Sequence, residues 1–298
     1  MATLKSNYSF DMRSVDLSSV FRDYSSDIFY DNIYATFGDI TVKDVLEIYY
    51  DSGNGMLSFG GYRFEFDTNG NVTGGTVQLV AQNYEGYTDW QLSGFGVDAY
   101  VLYQAYLTTS TSDEYNIIAA ALDGNDIIYL SNYADFVYGF LGSDKIYGYG
   151  GNDILYGNSG NDTISGGSGV DLLTSGTGKD TLSGGAGSDR FIFESSSESS
   201  TGATTADMIT DFSRGSDKIS LSTIDAFASS PANDTFVWKG TSAFNSSTKG
   251  EVRYEKFDKS GTANDYTMVW IDNDRDTGVE MAIRLTGLHN LTESDFIL

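Results

Sequence analysis

A nine-residue period of aspartates constrains this chain more than any other feature of its sequence. Glycine precedes most of these aspartates by two places, and a branched or aromatic apolar residue follows each by two places. The aspartates are Asp126, Asp135, Asp144, Asp153, Asp162, Asp171, Asp180 and Asp189. Self-similarity at a short fixed period is the signature of a solenoid, so this part of the chain is predicted to coil.

Each unit divides into a turn and a short strand. In the unit that begins at Gly166, the first six residues include three glycines, whose freedom at positive φ suits a turn. The last three residues, 172–174, are predicted to form a strand whose middle side chain points inward. Successive strands would then alternate between two sheets, so one full coil takes two units. The expected stacks are Asp144, Asp162 and Asp180 on one edge, and Asp153, Asp171 and Asp189 on the other.

Stacked carboxylates predict a bound cation. Neighbouring coils lie about 4.8 Å apart, and two carboxylates at that spacing repel by about 3 kcal/mol at an effective dielectric near 20. Calcium suits the gap because it binds six to eight oxygens from carboxylates and backbone carbonyls. Several ions are expected, and the region is predicted to be disordered without them. The expected metal-binding residues are Asp126, Asp144, Asp153, Asp162, Asp171, Asp180, Asp189, Gly142, Gly151, Gly160, Gly166, Gly169, Gly184 and Gly187.

These repeats resemble the glycine-rich calcium-binding repeat of the RTX family, whose units wind into a parallel β-roll. The units between residues 148 and 192 fit the pattern best. The unit 130–138 contains no glycine and is expected to bind no ion. A flexible Gly/Asp/Ser linker is the alternative, but the inward apolar residues in strict register argue against it.

The C-terminal segments resemble the last domain of serralysin-type secreted metalloproteases, in which a β-sandwich caps the roll. The likeness extends from residue 123 to the end and includes residues 206–212, 215–221, 250–254 and 269–274. The predicted domains are therefore an N-terminal β-rich domain over 1–112, the β-roll over 113–192 and the cap over 193–298. The fold class is mainly β.

One further acidic segment lies in the cap. Asp272, Asp274 and Asp276, with Glu280, have the spacing of a calcium loop, although glycine stands one place too late for an EF-hand. An additional calcium site and a solvated acidic turn are both consistent with this sequence.

The two ends of the chain predict export. Residues 1–20 contain charged side chains and no apolar core, so they do not form a Sec signal peptide. The last five residues, Ser294–Leu298, place an acidic residue before apolar ones, as in the uncleaved signal read by type I exporters. Recognition by a type I secretion apparatus, and hence an extracellular location, is expected.

The composition of the chain limits the classes of partner and of binding site that it can have. The formal net charge is −25, which disfavours nucleic acid because little basic surface could neutralise phosphates. The sequence contains no cysteine, so disulfides and thiolate metal sites are excluded. No run approaches 18 apolar residues, so no membrane span is expected.

Residues 1–112 contain twelve of the 21 tyrosines and read as a β-rich domain. The segments 59–66 and 76–81 flank a turn at 68–71 and predict a hairpin, and residues 90–97 predict another strand. A short helix is expected over 98–107. This domain resembles no family closely enough to name.

No catalytic constellation is evident. The serralysin likeness suggests a protease, but the zinc motif H-E-x-x-H is missing and the only histidine is His289, so a metalloprotease is excluded. The favoured hypothesis is a non-catalytic secreted calcium-binding protein whose N-terminal domain contacts a cell surface, a polysaccharide or a protein. The alternative is a glycan-active hydrolase or lyase that uses N-terminal carboxylates, with the RTX part serving secretion and folding.

Overall fold

The computed structural model describes Ala119 and residues 122–226, 234–245, 250–259, 264–274 and 278–298, and it describes the backbone of the strands between residues 3 and 98. The chain divides into two compact units, Met1–Asn132 and Tyr133–Leu298. Among the described residues, the first unit holds nine strands, and the second holds the roll together with its cap.

The strands of the first unit pair mainly antiparallel, along the order β1-β8-β7-β6-β5-β2. The predicted hairpin is confirmed, with Phe59 opposite Val80, and the strand predicted over 90–97 is part of β8. Residues 99–107, where a helix was expected, lie outside the described residues. The strands are β1 (Thr3–Ser6), β2 (Tyr24–Tyr30), β3 (Ala35–Phe37), β4 (Ile40–Val42), β5 (Asp44–Tyr50), β6 (Gly55–Phe66), β7 (Val72–Tyr84), β8 (Tyr87–Asp98) and β9 (Ile127–Tyr129).

The first repeat strand, β9, also belongs to this unit. It pairs in parallel with β1, with Leu4 opposite Ile128. Ile128 is fully buried, as expected for the apolar position of a repeat unit. The β3 and β4 strands form a separate two-stranded hairpin.

In the second unit, successive repeats alternate between two parallel sheets as predicted. One sheet contains β10, β12, β14 and β16, and the other contains β11, β13 and β15. Residues eighteen apart are opposite each other, for example Leu155 and Leu173. The strands are β10 (Phe136–Tyr138), β11 (Lys145–Tyr147), β12 (Ile154–Ser159), β13 (Thr163–Gly169), β14 (Leu172–Thr177), β15 (Thr181–Gly187) and β16 (Arg190–Ile192).

The core of the roll is a column of apolar side chains, one from each unit. Every member is at most 1% exposed, and burying each contributes about 1.5–3 kcal/mol. This confirms the inward apolar register that distinguishes a folded solenoid from a linker. The column consists of Val137, Ile146, Leu155, Ile164, Leu173, Leu182 and Phe191.

The cap continues both sheets of the roll. Strand β17 (Asp207–Ile209) adds to β15 and strand β18 (Lys218–Ser220) adds to β16, both in parallel. The sheet that contains β15 and β17 then continues through β22 (Met281–Thr286), β21 (Tyr266–Asp272), β20 (Glu251–Phe257) and β19 (Val237–Gly240). The sheet that contains β16 and β18 ends with β23 (Phe296–Ile297), which pairs with β18 and follows a 3₁₀ turn over Glu293–Asp295. The expected mainly β architecture, with a parallel roll and a two-sheet cap, is confirmed.

Candidate metal centre

The repeat aspartates form two hydrogen-bonded ladders, one at each edge of the roll. The backbone N–H of each aspartate donates to Oδ1 of the aspartate eighteen residues later, at 2.7–3.0 Å. Both ladders have the order expected from the period. They consist of Asp135, Asp153, Asp171 and Asp189 on one edge, and of Asp144, Asp162 and Asp180 on the other.

The second oxygen of these carboxylates is in a different situation. Five Oδ2 atoms are buried and accept no hydrogen bond from any described residue. Each of the five side chains is at most 2% exposed. A buried carboxylate oxygen without a partner loses the full free energy of its hydration, so this arrangement is costly unless a cation supplies the missing interaction. The five belong to Asp153, Asp162, Asp171, Asp180 and Asp189.

Backbone carbonyl oxygens lie beside these Oδ2 atoms. The position that a Cβ would occupy on Gly148 is 2.5 Å from Asp153 Oδ2 and 2.3 Å from the carbonyl oxygen of Gly166 in the next coil. On Gly157 the same position is 2.4 Å from Asp162 Oδ2 and 2.5 Å from the Ser175 carbonyl oxygen. A carboxylate and a carbonyl oxygen thus converge at each site, which is the donor set that calcium prefers.

The predicted glycines occupy two positions in the turns. At the first position, a Cβ on Gly166 or Gly184 would lie 2.4 Å from the Oδ2 of its own unit's aspartate. At the fourth position, Gly142, Gly151, Gly160, Gly169 and Gly187 all have φ between 113° and 151°. A Cβ on Gly169 would lie 1.5 Å from the carbonyl oxygen of Gly151, so only glycine fits the stacked turns.

Burial dominates the electrostatics of the ladders. It raises the pKa of Asp153 and Asp180 to about 7, and that of Asp162 and Asp189 to about 6. The pKa of Asp171 is raised for the same reason. Hydrogen bonds from the backbone oppose these shifts without cancelling them. In the metal-free protein, the ladders therefore hold protons at pH values where ordinary carboxylates are ionised.

Asp126 and Asp135 precede the best repeats. Asp126 lies in the first compact unit and is 2% exposed. Asp135 belongs to the unit without glycine, and its N–H nevertheless joins the ladder through Asp153 Oδ1 at 2.9 Å. The structure therefore gives the unit 130–138 a place in the coil, while its expected lack of an ion stays a prediction.

Sequence reasoning missed two aspartates that extend the ladders into the cap. The N–H of Asp180 donates to Oδ1 of Asp207 at 2.8 Å, and that of Asp189 donates to Oδ1 of Asp217 at 3.1 Å. Both side chains are at most 2% exposed. A signal was available, because a buried isoleucine follows each by two places as in the repeats. Asp217 also has a glycine, Gly215, two places before it, whereas Asp207 has Thr205 there, and longer connections interrupt the run of units before both.

A third missed carboxylate, Glu198, lies near one end of a ladder. It is 7% exposed, and burial raises its pKa to about 7. Burial, and after it the charges of Asp180 and Glu198, raise the pKa of Asp207 to about 8. The Ser175 hydroxyl lies 3.5 Å from Asp207 Oδ2. The end of this ladder therefore concentrates three buried carboxylates in one place.

In the acidic segment of the cap, three of the four predicted carboxylates lie close together. Oxygen atoms of Asp272, Asp274 and Glu280 lie within 4.8 Å of one another. Asp272 is buried, and its pKa is raised to about 6 by burial and then by the charges of Glu280 and Asp274. Asp276 lies outside the described residues. The calcium site proposed for this segment stays a prediction.

His289 lies apart from these carboxylates. Its Nε2 is 2.8 Å from the carbonyl oxygen of Thr286, and its ring packs edge-on against Phe212 at 5.9 Å. These contacts give the side chain a packing role in the cap.

A parallel two-sheet coil with buried carboxylates stacked along both edges defines a metal-binding β-roll. Two family descriptions match the chain: the RTX calcium-binding nonapeptide repeat over residues 121–155, and the C terminal of peptidase M10 serralysin over residues 151–298. Residues 121–298 therefore consist of RTX calcium-binding repeats followed by a serralysin-type C-terminal domain. Both domains are typical of secreted proteins.

Two solved structures resemble the chain more loosely. The AlgE6R2 subunit of the Azotobacter vinelandii mannuronan C5-epimerase matches with 23% identity and a TM-score of 0.37, over 56% of this chain and 91% of its own. The AlgE6R3 subunit of that enzyme matches with 22% identity and a TM-score of 0.27, over 59% and 78%. TM-scores this low support no inference about activity. No curated protein matches the chain. Among the residues that the structure describes, no helix has the length and apolar character needed to cross a membrane.

Proposed function

We propose that this protein is a secreted, non-catalytic RTX protein whose roll binds several calcium ions and folds on them after export. The N-terminal domain is proposed to contact a cell surface, a polysaccharide or a protein partner. The observation that carries the calcium proposal is the row of buried Oδ2 atoms without hydrogen-bond donors, four of which, those of Asp153, Asp162, Asp171 and Asp189, lie close to a glycine of the turn.

The proposed ligands are the Oδ2 atoms of the ladder aspartates and carbonyl oxygens of the turns, including those of Gly166 and Ser175. Asp207, Asp217 and Glu198 are proposed as further ligands where the ladders enter the cap. Calcium supplies positive charge to a region in which burial opposes ionisation of the carboxylates. Because the turns hold these oxygens only in the folded coil, ion binding is coupled to folding.

The experiment that tests this proposal is circular dichroism of the whole chain in chelator and in calcium. At pH 8, above the raised pKa of about 7 of Asp153 and Asp180, we expect loss of roll structure in chelator and its recovery at millimolar calcium. Magnesium at the same concentration serves as the control, because its near-octahedral geometry suits these flexible oxygen sites poorly, and little recovery is expected. Identical spectra in chelator and in calcium would contradict metal-coupled folding.

Export by a type I system is proposed from the C-terminal residues. In the folded cap, Asp295 is 1% exposed and Phe296 is 7% exposed, and β23 is paired with β18. A receptor that reads these residues in extended form would have to do so before the cap folds. This agrees with folding that waits for calcium outside the cell.

The contact with a surface, a polysaccharide or a protein is proposed for the N-terminal domain, residues 1–112. The support is its aromatic-rich sequence and its series of long antiparallel strands, β6, β7 and β8. A glycan array probed with the intact protein in calcium tests the polysaccharide option. Signal that persists for the isolated second unit, residues 133–298, would assign the contact to the roll or cap instead.

A further inference from the structure

The cap sheet has a second face that points away from the apolar core. On the core side, Val269, Ile283 and Leu285 are fully buried. Arg284 alternates with them and therefore projects from the opposite face, where it lies beside Met268 of β21 and Met208 of β17. Residues from the loop before β17 pack over part of this second face, since Ala203 and Ala206 contact the cluster around Met268.

Between this loop and the sheet lies an open pocket of about 480 Å³. This volume is within the range of about 300–1,000 Å³ that is usual for small-molecule sites. The pocket belongs entirely to the cap and shares no residue with the carboxylate ladders. Its lining residues are Ala203, Thr204, Lys259, Asn264, Tyr266 and Arg284.

Packing holds the guanidinium of Arg284 in place. Its Cζ lies 4.6 Å from the ring centroid of Tyr266, and the Tyr266 ring stacks on Phe257 at 4.8 Å and 11°. Cation–π contact with a supported aromatic ring fixes the side chain at the pocket wall. The orientation of the charge is thus determined before any ligand arrives.

Within the described residues, no carboxylate compensates the charge of Arg284. Its Nε is buried and donates no hydrogen bond, and across the described ranges Arg284 forms no ion pair. Glu255 lies in the same cross-strand row, but Arg253 engages it at 3.1 Å. A partly buried arginine without a carboxylate is costly, and it is conspicuous in a chain with a net charge of −25.

We propose that this pocket binds the carboxylate of a small organic acid about the size of one sugar acid. The planar guanidinium of Arg284 suits a carboxylate, and Lys259, whose Nζ is 6.0 Å from the Tyr266 centroid, adds a second cation. Thr204 and Asn264 provide polar groups for hydroxyls of the ligand. A monoanion is favoured over phosphate because the negative field of this chain opposes a dianion more strongly.

The test is isothermal titration calorimetry of the full chain at fixed millimolar calcium. Sodium glucuronate is the probe, and glucose and inorganic phosphate are the comparison ligands. We expect glucuronate to bind with millimolar Kd, glucose not to bind, and phosphate to bind at least several-fold more weakly. Binding of glucose with equal affinity, or tighter binding of phosphate, would overturn the assignment.

The variants separate this site from the metal sites. Arg284→Gln should weaken glucuronate binding at least tenfold, whereas the exposed Arg190→Gln, with the same change of charge, should leave it unaltered. The dichroism of Arg284→Gln in calcium and chelator should match the wild type, so failure of the pocket and failure of the calcium proposal are distinguishable. Wild-type affinity in Arg284→Gln overturns the proposal. If that variant misfolds, Lys259→Gln replaces it, and an unchanged affinity there has the same consequence.

Discussion

Each ladder aspartate divides its carboxylate between two tasks. Asp171, for example, accepts the N–H of Asp153 with Oδ1, while its Oδ2 accepts no hydrogen bond within the described chain. The nine-residue period predicts a carboxylate beside a cation but does not distinguish its two oxygens. The structure shows that one oxygen ties neighbouring coils together, so each aspartate contributes to the coil even before its metal role is considered.

This division predicts how Asp171→Asn behaves. The amide keeps an oxygen for the N–H of Asp153 but removes the negative charge from the site. We expect calcium affinity, measured by titration calorimetry, to fall at least tenfold, while the calcium-saturated dichroism spectrum stays that of the wild type. Asp258→Asn, at an exposed carboxylate of the cap, is the matched control. Equal calcium affinity in the two variants would remove Asp171 from the metal site.

The fourth-position glycines predict a steric effect. In Gly169→Ala, the new Cβ would lie 1.5 Å from the Gly151 carbonyl oxygen at a φ of 142°, so adjoining coils would have to separate. Gly215→Ala is the matched control, because its φ of 84° is also positive but nothing lies within 4 Å. We expect the control to lose about 1–2 kcal/mol of unfolding free energy and Gly169→Ala to lose clearly more. Chemical denaturation in calcium measures both, and equal losses would contradict the stacked geometry.

At the scale of elements, the period predicted the alternation of strands and the two edges, because each unit repeats the same local chemistry. The place where the ladders stop was not predictable in that way. Asp207 and Asp217 follow their ladder neighbours by 27 and 28 residues instead of 18, since the loop before β17 inserts extra chain. The register there is set by parallel pairing of β17 with β15, a tertiary contact that no local pattern encodes.

The pocket around Arg284 lies beyond sequence reasoning for a related reason. Lys259, Tyr266 and Arg284 come from different strands or their ends and meet only when the cap sheet forms. Their spacing in the chain resembles that of ordinary surface residues. By contrast, the cluster of Asp272, Asp274 and Glu280 was visible in the sequence because all three lie around one short connection between β21 and β22.

The last strand predicts separable effects on export and on stability. Deleting residues 295–298 removes β23 from β18, and it also removes the contact of Phe296 with Trp238 at 4.8 Å. We expect the deletion to abolish secretion by a type I system and to lower the thermal midpoint of the purified protein. Phe296→Ala should destabilise the cap by about 3 kcal/mol while secretion continues, because Asp295 and the remaining apolar residues are kept. Secretion of the deletion variant would refute the export assignment.

At the scale of the whole molecule, acidity and stability are linked through the ladders. Asp153, Asp180 and Asp207 have an ordinary pKa of 3.8, and burial raises the pKa values to about 7, 7 and 8 in the folded metal-free protein. The folded state therefore binds more protons than the unfolded state between about pH 4 and pH 8. Stability falls with rising pH wherever the folded state holds the extra protons.

The expected result is a calcium-free roll that keeps more of its structure at pH 5 than at pH 8, measured as the dichroism in chelator at each pH. Below pH 4 the carboxylates are protonated in both states, so the contribution is fully present there and is lost as the pH rises through the folded pKa values. Calcium competes with these protons, so its apparent affinity should rise over the same interval. Asp180→Asn, which removes one titrating group, should show a smaller loss of dichroism in chelator between pH 5 and pH 8. A calcium-free protein that gains stability from pH 5 to pH 8 would show that the buried ladders do not control its pH response.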